Sequence, residues 1–167
     1  LKQGRAGPLC FVTVEHELTS DGRAVLSESQ EIVYRDVTVS GAVADVRAPE
    51  PALPGSACCQ IEPTASLLFR YSALTFNGHR IHYDKPYATD VEAYPGLVVH
   101  GPLQATLLCQ MAADLKGRAP QAFRFRSLSP LFDDAGFTVN AEEEGAGLRL
   151  WTARSGGPVA MEAHAQW

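Results

Sequence analysis

The chain has 167 residues, 46% apolar and 20% charged, with a formal net charge of −5. That is enough to bury an ordinary core and make one domain or slightly more. With 14 basic against 19 acidic residues and no run of Lys or Arg, nothing favours nucleic acid or an anionic membrane surface as a partner.

Residues 8–35 read as two strands, PLCFVTVEHEL and AVLSESQEIVYR, joined by a turn at Ser20-Asp21-Gly22. A lone hairpin does not support itself in water, so these strands need a sheet to join. The following stretch is poor in large apolar residues and holds Gly41, Pro49, Pro51, Pro54 and Gly55, which reads as a linker over 41–56. A strand is expected over Ala57–Glu62 and a helix over about Thr64–Leu74. A second helix is expected from Pro102 to Lys116, where Leu103, Leu107, Met111 and Leu115 recur every fourth residue. Pro102 suits a first helical turn and Gly117 suits a C-terminal stop. After it come AFRFRSLSPLF, GFTVNAEEE, GLRLWTAR and PVAMEAHAQW, whose period-two alternation marks strands with one buried face. The order of elements fits an α+β fold in which an antiparallel sheet wraps a central apolar helix.

Three of the five histidines fall between Tyr71 and Leu103, in YSALTFNGHRIHYDKPYATDVEAYPGLVVHGPL. Asn77 and His82 follow the first helix in an irregular stretch, where side chains project from a rigid scaffold. Imidazole titrates near neutrality, so His82 is a candidate general acid or base. The Asn77 amide only donates and accepts hydrogen bonds, so it would orient a water or a substrate. Gly101 opens the second helix after His100. A helix start offers unpaired N–H groups and partial positive charge, and glycine lets another molecule approach them, an arrangement suited to a developing oxyanion. Taken singly, each of these residues has a structural reading; their combination in one segment is what marks a site.

The segments FRYSALTFNGHRIHYD and YPGLVVHGPLQATLL resemble the MaoC-like dehydratases, in the branch of mesaconyl-C4-CoA hydratase and the type 2 hydroxyacyl-thioester dehydratases. The likeness is extended over Leu67–Leu108. It implies a hotdog fold, and a remnant of a tandem double hotdog. Residues 1–40 would then be the last strands of a degenerate first hotdog whose remainder is missing from this chain, 41–56 the linker, and 57–167 the catalytic domain. In the wider (R)-specific enoyl-CoA hydratase family the motif is Asp-x-Asn-Pro-(Ile/Leu)-His. Its His falls on His82, while its catalytic Asp falls on Asn77 and its Asn-Pro on His79-Arg80. The resemblance places the thioester carbonyl on the Gly101 N–H beside His100. It implies reversible hydration of a trans-2-enoyl thioester, on CoA or an acyl carrier, with no metal and no cofactor. Substrate contacts are expected from His79, Arg80, His100 and Arg70, with Lys85, Arg124 and Arg126 as further cations for CoA phosphates. Two rivals stand beside this reading: a hotdog thioesterase, and a non-catalytic acyl-CoA-binding subunit favoured by Asn in place of Asp. No leader or apolar 18-residue-scale run (about 18) is visible, and the cysteines show neither CxxC spacing nor a disulfide framework. A cytoplasmic homodimer is expected.

Overall fold

The computed structural model describes residues 2–4, 7–35 and 50–167. The chain divides into two compact units, Leu1–Arg47 and Ala48–Trp167.

In the first unit, strands β1 (Lys2–Gly4), β2 (Gly7–Ser20) and β3 (Arg23–Arg35) form an antiparallel sheet in the order β1-β2-β3. Asp21 and Gly22 take φ values of 50° and 74°. A two-residue hairpin connection requires that left-handed pair, and Asp-Gly supplies it. Cross-strand neighbours include Phe11 with Val33 and Leu18 with Leu26, and all four side chains remain substantially exposed.

In the second unit, β4 (Ala57–Ile61), β5 (Ala122–Ser127), β6 (Phe137–Glu144), β7 (Gly147–Arg154) and β8 (Val159–Gln166) form one antiparallel sheet ordered β4-β6-β7-β8-β5. Helix α2 (Gly101–Lys116) lies against β6, β7 and β8, and helix α1 (Ala65–Leu74) follows β4. Leu103, Leu108 and Ala112 of α2 are buried with Val139, Ala141, Leu150, Met161 and Ala163 of the sheet. Thr64 caps α1, its Oγ1 accepting from the Leu67 N–H at 3.2 Å, and Leu68 and Ser72 form the buried side of that helix.

Three details depart from the sequence reading. The row Leu103, Leu107, Met111, Leu115 does not stay on the core. Each step of four residues overshoots a helical turn by about 40°, so Leu103 is buried, Leu107 and Met111 are half-buried, and Leu115 is 49% exposed. The buried stripe instead takes in Gln104, Ala105 and Ala112. The stretch AFRFRSLSPLF is a strand only as far as Ser127.

The third detail concerns the linker expected over 41–56. Residues 41–49 lie outside the described residues, and 50–56 are held on the outer face of the sheet. The Ala52 N–H donates to the Gly157 carbonyl at 2.8 Å, the Trp151 indole N–H to the Leu53 carbonyl at 3.2 Å, and the Gly55 N–H to Asn140 Oδ1 at 3.2 Å. Gly55 passes so near the sheet that a Cβ there would stand 2.6 Å from the Ala141 carbonyl oxygen. This layer also explains why β7 is buried on both faces around Trp151, where alternation alone predicts one.

Candidate functional site

The site is assembled by the irregular chain between α1 and α2. Phe76 adopts a left-handed conformation, φ 53°, just past the end of α1, and the Asn77 N–H donates to the Ser72 carbonyl at 2.9 Å. Asn77 Oδ1 accepts the His79 N–H at 3.0 Å, so its oxygen closes the turn and its amide N–H groups are left as the donors. A single 3-10 turn, Arg80–His82, then carries His82 into a buried position.

His82 Nδ1 lies 2.7 Å from the Val98 carbonyl oxygen. A carbonyl only accepts, so Nδ1 carries the proton and Nε2 keeps a free lone pair. The carbonyl is itself fixed: the Val98 N–H donates to Ile81 O at 3.0 Å, the Val99 N–H donates to Leu131 O at 2.8 Å, and Val98 pairs with Phe132. Two residues on, His100 is the N-cap of α2. Its ring stacks on that of His82 with centroids 3.8 Å apart and planes 17° apart, and its Nε2 lies 2.8 Å from Ser72 Oγ. The Tyr71 ring meets His100 edge-on at 4.9 Å.

Burial pulls the His82 pKa below its ordinary 6.5, the His79 ring adds to this, and the Val98 carbonyl opposes it. Burial also holds His100 down to about 4, with the neighbouring His82 contributing. Both rings are therefore neutral at pH 7. At that pH the His82 ring is in the state that can accept a proton at Nε2 and has none to release as an imidazolium.

Among the residues singled out from sequence, His82, His100 and Gly101 come together at the start of α2. His79 joins them, its ring edge-on to His82 at 5.5 Å. Asn77 lies one turn of chain before, half-buried. Arg80 is already engaged: its Nε and Nη2 donate to Asp84 Oδ2 at 3.0 and 2.8 Å, and its guanidinium sits 4.1 Å from the Tyr87 ring centroid. Arg70 is exposed on α1, about 200° around the helix from Leu68, and so faces away from the Ser72 side. Lys85 pairs with Asp133 at 3.1 Å, and Arg124 and Arg126 are exposed on β5.

His100, expected as a substrate contact, is 0% exposed with its ring stacked on that of His82. Ser72, Tyr71 and the Val98 carbonyl went unrecognised in the sequence. Only Ser72 left a signal there, a hydroxyl four residues after Leu68 on the buried side of α1.

A groove of about 300 Å³ between β4 and the outer side of α2, lined by Cys58, Cys59, Ile61, Leu107, Met111 and Leu115 among others, contains none of these site residues. Among the described residues no His, Cys, Asp and Glu side chains converge as a metal site, and no helix is long and apolar enough to cross a membrane.

The sheet wrapped on one buried helix is the hotdog fold. Solved structures share it: HtdX from Mycobacterium tuberculosis matches 93% of this chain and 61% of its own with a TM-score of 0.70 at 20% identity. The (R)-hydratase from A. caviae, described as involved in PHA biosynthesis, matches 68% of this chain and 94% of its own with a TM-score of 0.56 at 21% identity. At the level of sequence, residues 2–133 match the family of hydroxyacyl-thioester dehydratase type 2, and the chain belongs to that family. It is 45% identical over 166 residues to mesaconyl-C(4)-CoA hydratase of Chloroflexus aurantiacus, covering 97% of this chain and 58% of that protein. The chain thus spans less than two thirds of the length of that curated relative.

Proposed function

We propose that the chain is the catalytic part of a hydro-lyase that reversibly adds water to a trans-2-enoyl thioester, giving a 3-hydroxyacyl thioester. The observation that carries this reading is the His82 geometry, a neutral imidazole anchored through Nδ1 on the Val98 carbonyl and stacked on His100, the N-cap of α2. His82 Nε2 takes a proton from water as the water oxygen bonds to C3. The electron pair of the C2–C3 double bond moves towards the thioester, and the oxygen that gains charge is met by the Gly101 N–H at the positive end of the α2 dipole. The His82 imidazolium then gives its proton to C2, so that H and OH are added in all and His82 ends neutral. The Asn77 N–H groups hold the attacking oxygen. The thioester stabilises its own enolate, so no cofactor enters.

The acyl group follows from the family: CoA or carrier-linked enoyl chains, with a mesaconyl-type acid as the first substrate to try, given the name of the 45% identical relative. Residues 1–40 belong, on this reading, to the end of a preceding hotdog; the exposed apolar side chains of β2 and β3 support it, because a hairpin with such a surface needs covering. A cytoplasmic setting and a homodimer complete the proposal.

The test is incubation of the purified protein with a panel of enoyl-CoA esters. Loss of the enoyl absorbance without free thiol supports hydration. Release of thiol gives a thioesterase instead, and binding of an enoyl-CoA analogue without turnover gives a binding subunit.

A further inference from the structure

Among the described residues, the His82 ring meets the Val98 carbonyl through Nδ1, the His79 ring at a steep angle, and the face of His100. Of these, only His100 lies stacked on the ring, and it is completely buried. The orientation and tautomer of His100 therefore set the floor on which His82 rests.

Hydrogen-bond matching fixes that tautomer. Ser72 is buried, and its hydroxyl has a single hydrogen-bond partner among the described residues, His100 Nε2 at 2.8 Å. His100 Nδ1 is buried with no partner among the described residues. If Nε2 carried the proton and donated to Ser72, the serine O–H would lack an acceptor and Nδ1 would lack a donor, leaving two buried polar groups unmatched. If Ser72 donates into Nε2, only the Nδ1–H is unmatched. Unmatched buried groups are costly, so the second arrangement is favoured.

We propose that Ser72 and His100 form a positioning pair for His82: the Ser72 hydroxyl donates into His100 Nε2, locks that imidazole as its Nδ1–H tautomer, and so presents a fixed neutral ring on which His82 is stacked with its Nε2 directed at the substrate. The role in turnover rests on the hydratase reading; the hydrogen bond and tautomer do not. His100 touches no substrate, and its effect passes through His82, as outer partners of a reacting group commonly act. Tyr71, edge-on to His100 and bonded through its hydroxyl to Thr106 Oγ1 at 3.3 Å, is a further neighbour of that ring.

The test joins histidine-ring ¹H–¹⁵N correlation spectra with kinetics on parent, Ser72→Ala and Ser72→Thr. In the parent, both His82 and His100 should show the Nδ1–H pattern. Ser72→Ala should turn His100 into a tautomer mixture, broaden the His82 signals, and lower kcat by about 10–100-fold with KM little changed. Ser72→Thr, which restores the hydroxyl, should recover the spectra and most of kcat. An Nε2–H pattern for His100 in the parent overturns the proposal, and so does a Ser72→Ala protein with parental spectra and kcat. Equal impairment of Ala and Thr variants with an unchanged His100 tautomer reduces Ser72 to packing and also overturns it. If Ser72→Ala does not fold, the parent tautomer decides alone. An inactive parent counts against the hydratase reading, while the tautomer patterns still decide the Ser72–His100 pair.

Discussion

Replacing Gly101 by alanine separates the site from the scaffold. An added Cβ would lie 3.5 Å from Ser127 Oγ and 3.9 Å from Met161 Cε, ordinary van der Waals distances that require nothing to move. Gly101 is the first residue of α2 and does not use a left-handed conformation, so alanine is accommodated by the backbone. Gly to Ala at a compatible position raises stability by about 0.4–1 kcal/mol through the unfolded chain, which for a protein of this size is a Tm increase of roughly 1–4 °C. Turnover should move the other way. The N–H survives, but if Gly101 is the oxyanion donor proposed above, a methyl next to that N–H should crowd the thioester, and a misplacement of about 1 Å costs on the order of 10²-fold. Differential scanning fluorimetry and enoyl-CoA hydration on the same preparation read both quantities. A folded variant with parental kcat/KM would refute the assignment of Gly101 as the oxyanion donor, and a Tm drop of several degrees would refute the packing on which the separation depends.

His82→Ala should lower turnover by about 10²–10⁴-fold in a folded protein, measured by steady-state hydration of an enoyl-CoA. Because the neutral ring is the base and burial first, then His79, pulls its pKa below 6.5, the parental kcat/KM should rise with pH through a midpoint below 6.5 and level off above it. His100 gives a stability signature: unfolded it takes a proton near 6.5, folded only near 4, so its contribution is complete above 6.5 and is lost as pH falls through that window. Between pH 7 and 4.5 this amounts to about 2 kcal/mol at most, read as the part of the fall in urea-unfolding stability that disappears in His100→Gln. Asn77→Asp keeps the acceptor for the His79 N–H and should fold and retain activity, whereas Asn77→Ala loses turn and water holder together and should be strongly impaired in the hydration assay. Gly55→Ala drives a Cβ into the Ala141 backbone and should destabilise by about 1–3 kcal/mol, read as a lower urea midpoint with kcat of the folded fraction unchanged.

The hairpin of the first unit and the strands and helices of the second were legible because their signals are local: Asp21-Gly22 as the hairpin turn, period-two stretches for β6 to β8, Pro102 and Gly117 as the ends of α2. The position of His82 near His100 and Gly101 was legible only through resemblance, since it depends on the chain between two helices folding back on itself. What periodicity could not show were the contacts that cross from one element to another. The drift of Leu115 out of the core, the docking of 50–56 over Trp151, and the Ser72–His100 bond all depend on which surfaces meet, and no window of sequence contains both partners. The bonds made by Arg80 were hidden for a different reason. Asp84 is four residues away at an ordinary ion-pair spacing, but a 3-10 turn rather than a helix brings them together.

The most direct test follows atoms rather than rates. Incubation of the protein with an enoyl-CoA in H₂¹⁸O and, separately, in D₂O, with mass spectrometry of the product, should place one ¹⁸O on the C3 hydroxyl and one non-exchanging deuterium at C2, and His82→Gln should show neither above background. Incorporation of ¹⁸O into a free carboxylate, or label at C3 that persists undiminished in His82→Gln, would contradict His82-dependent hydration.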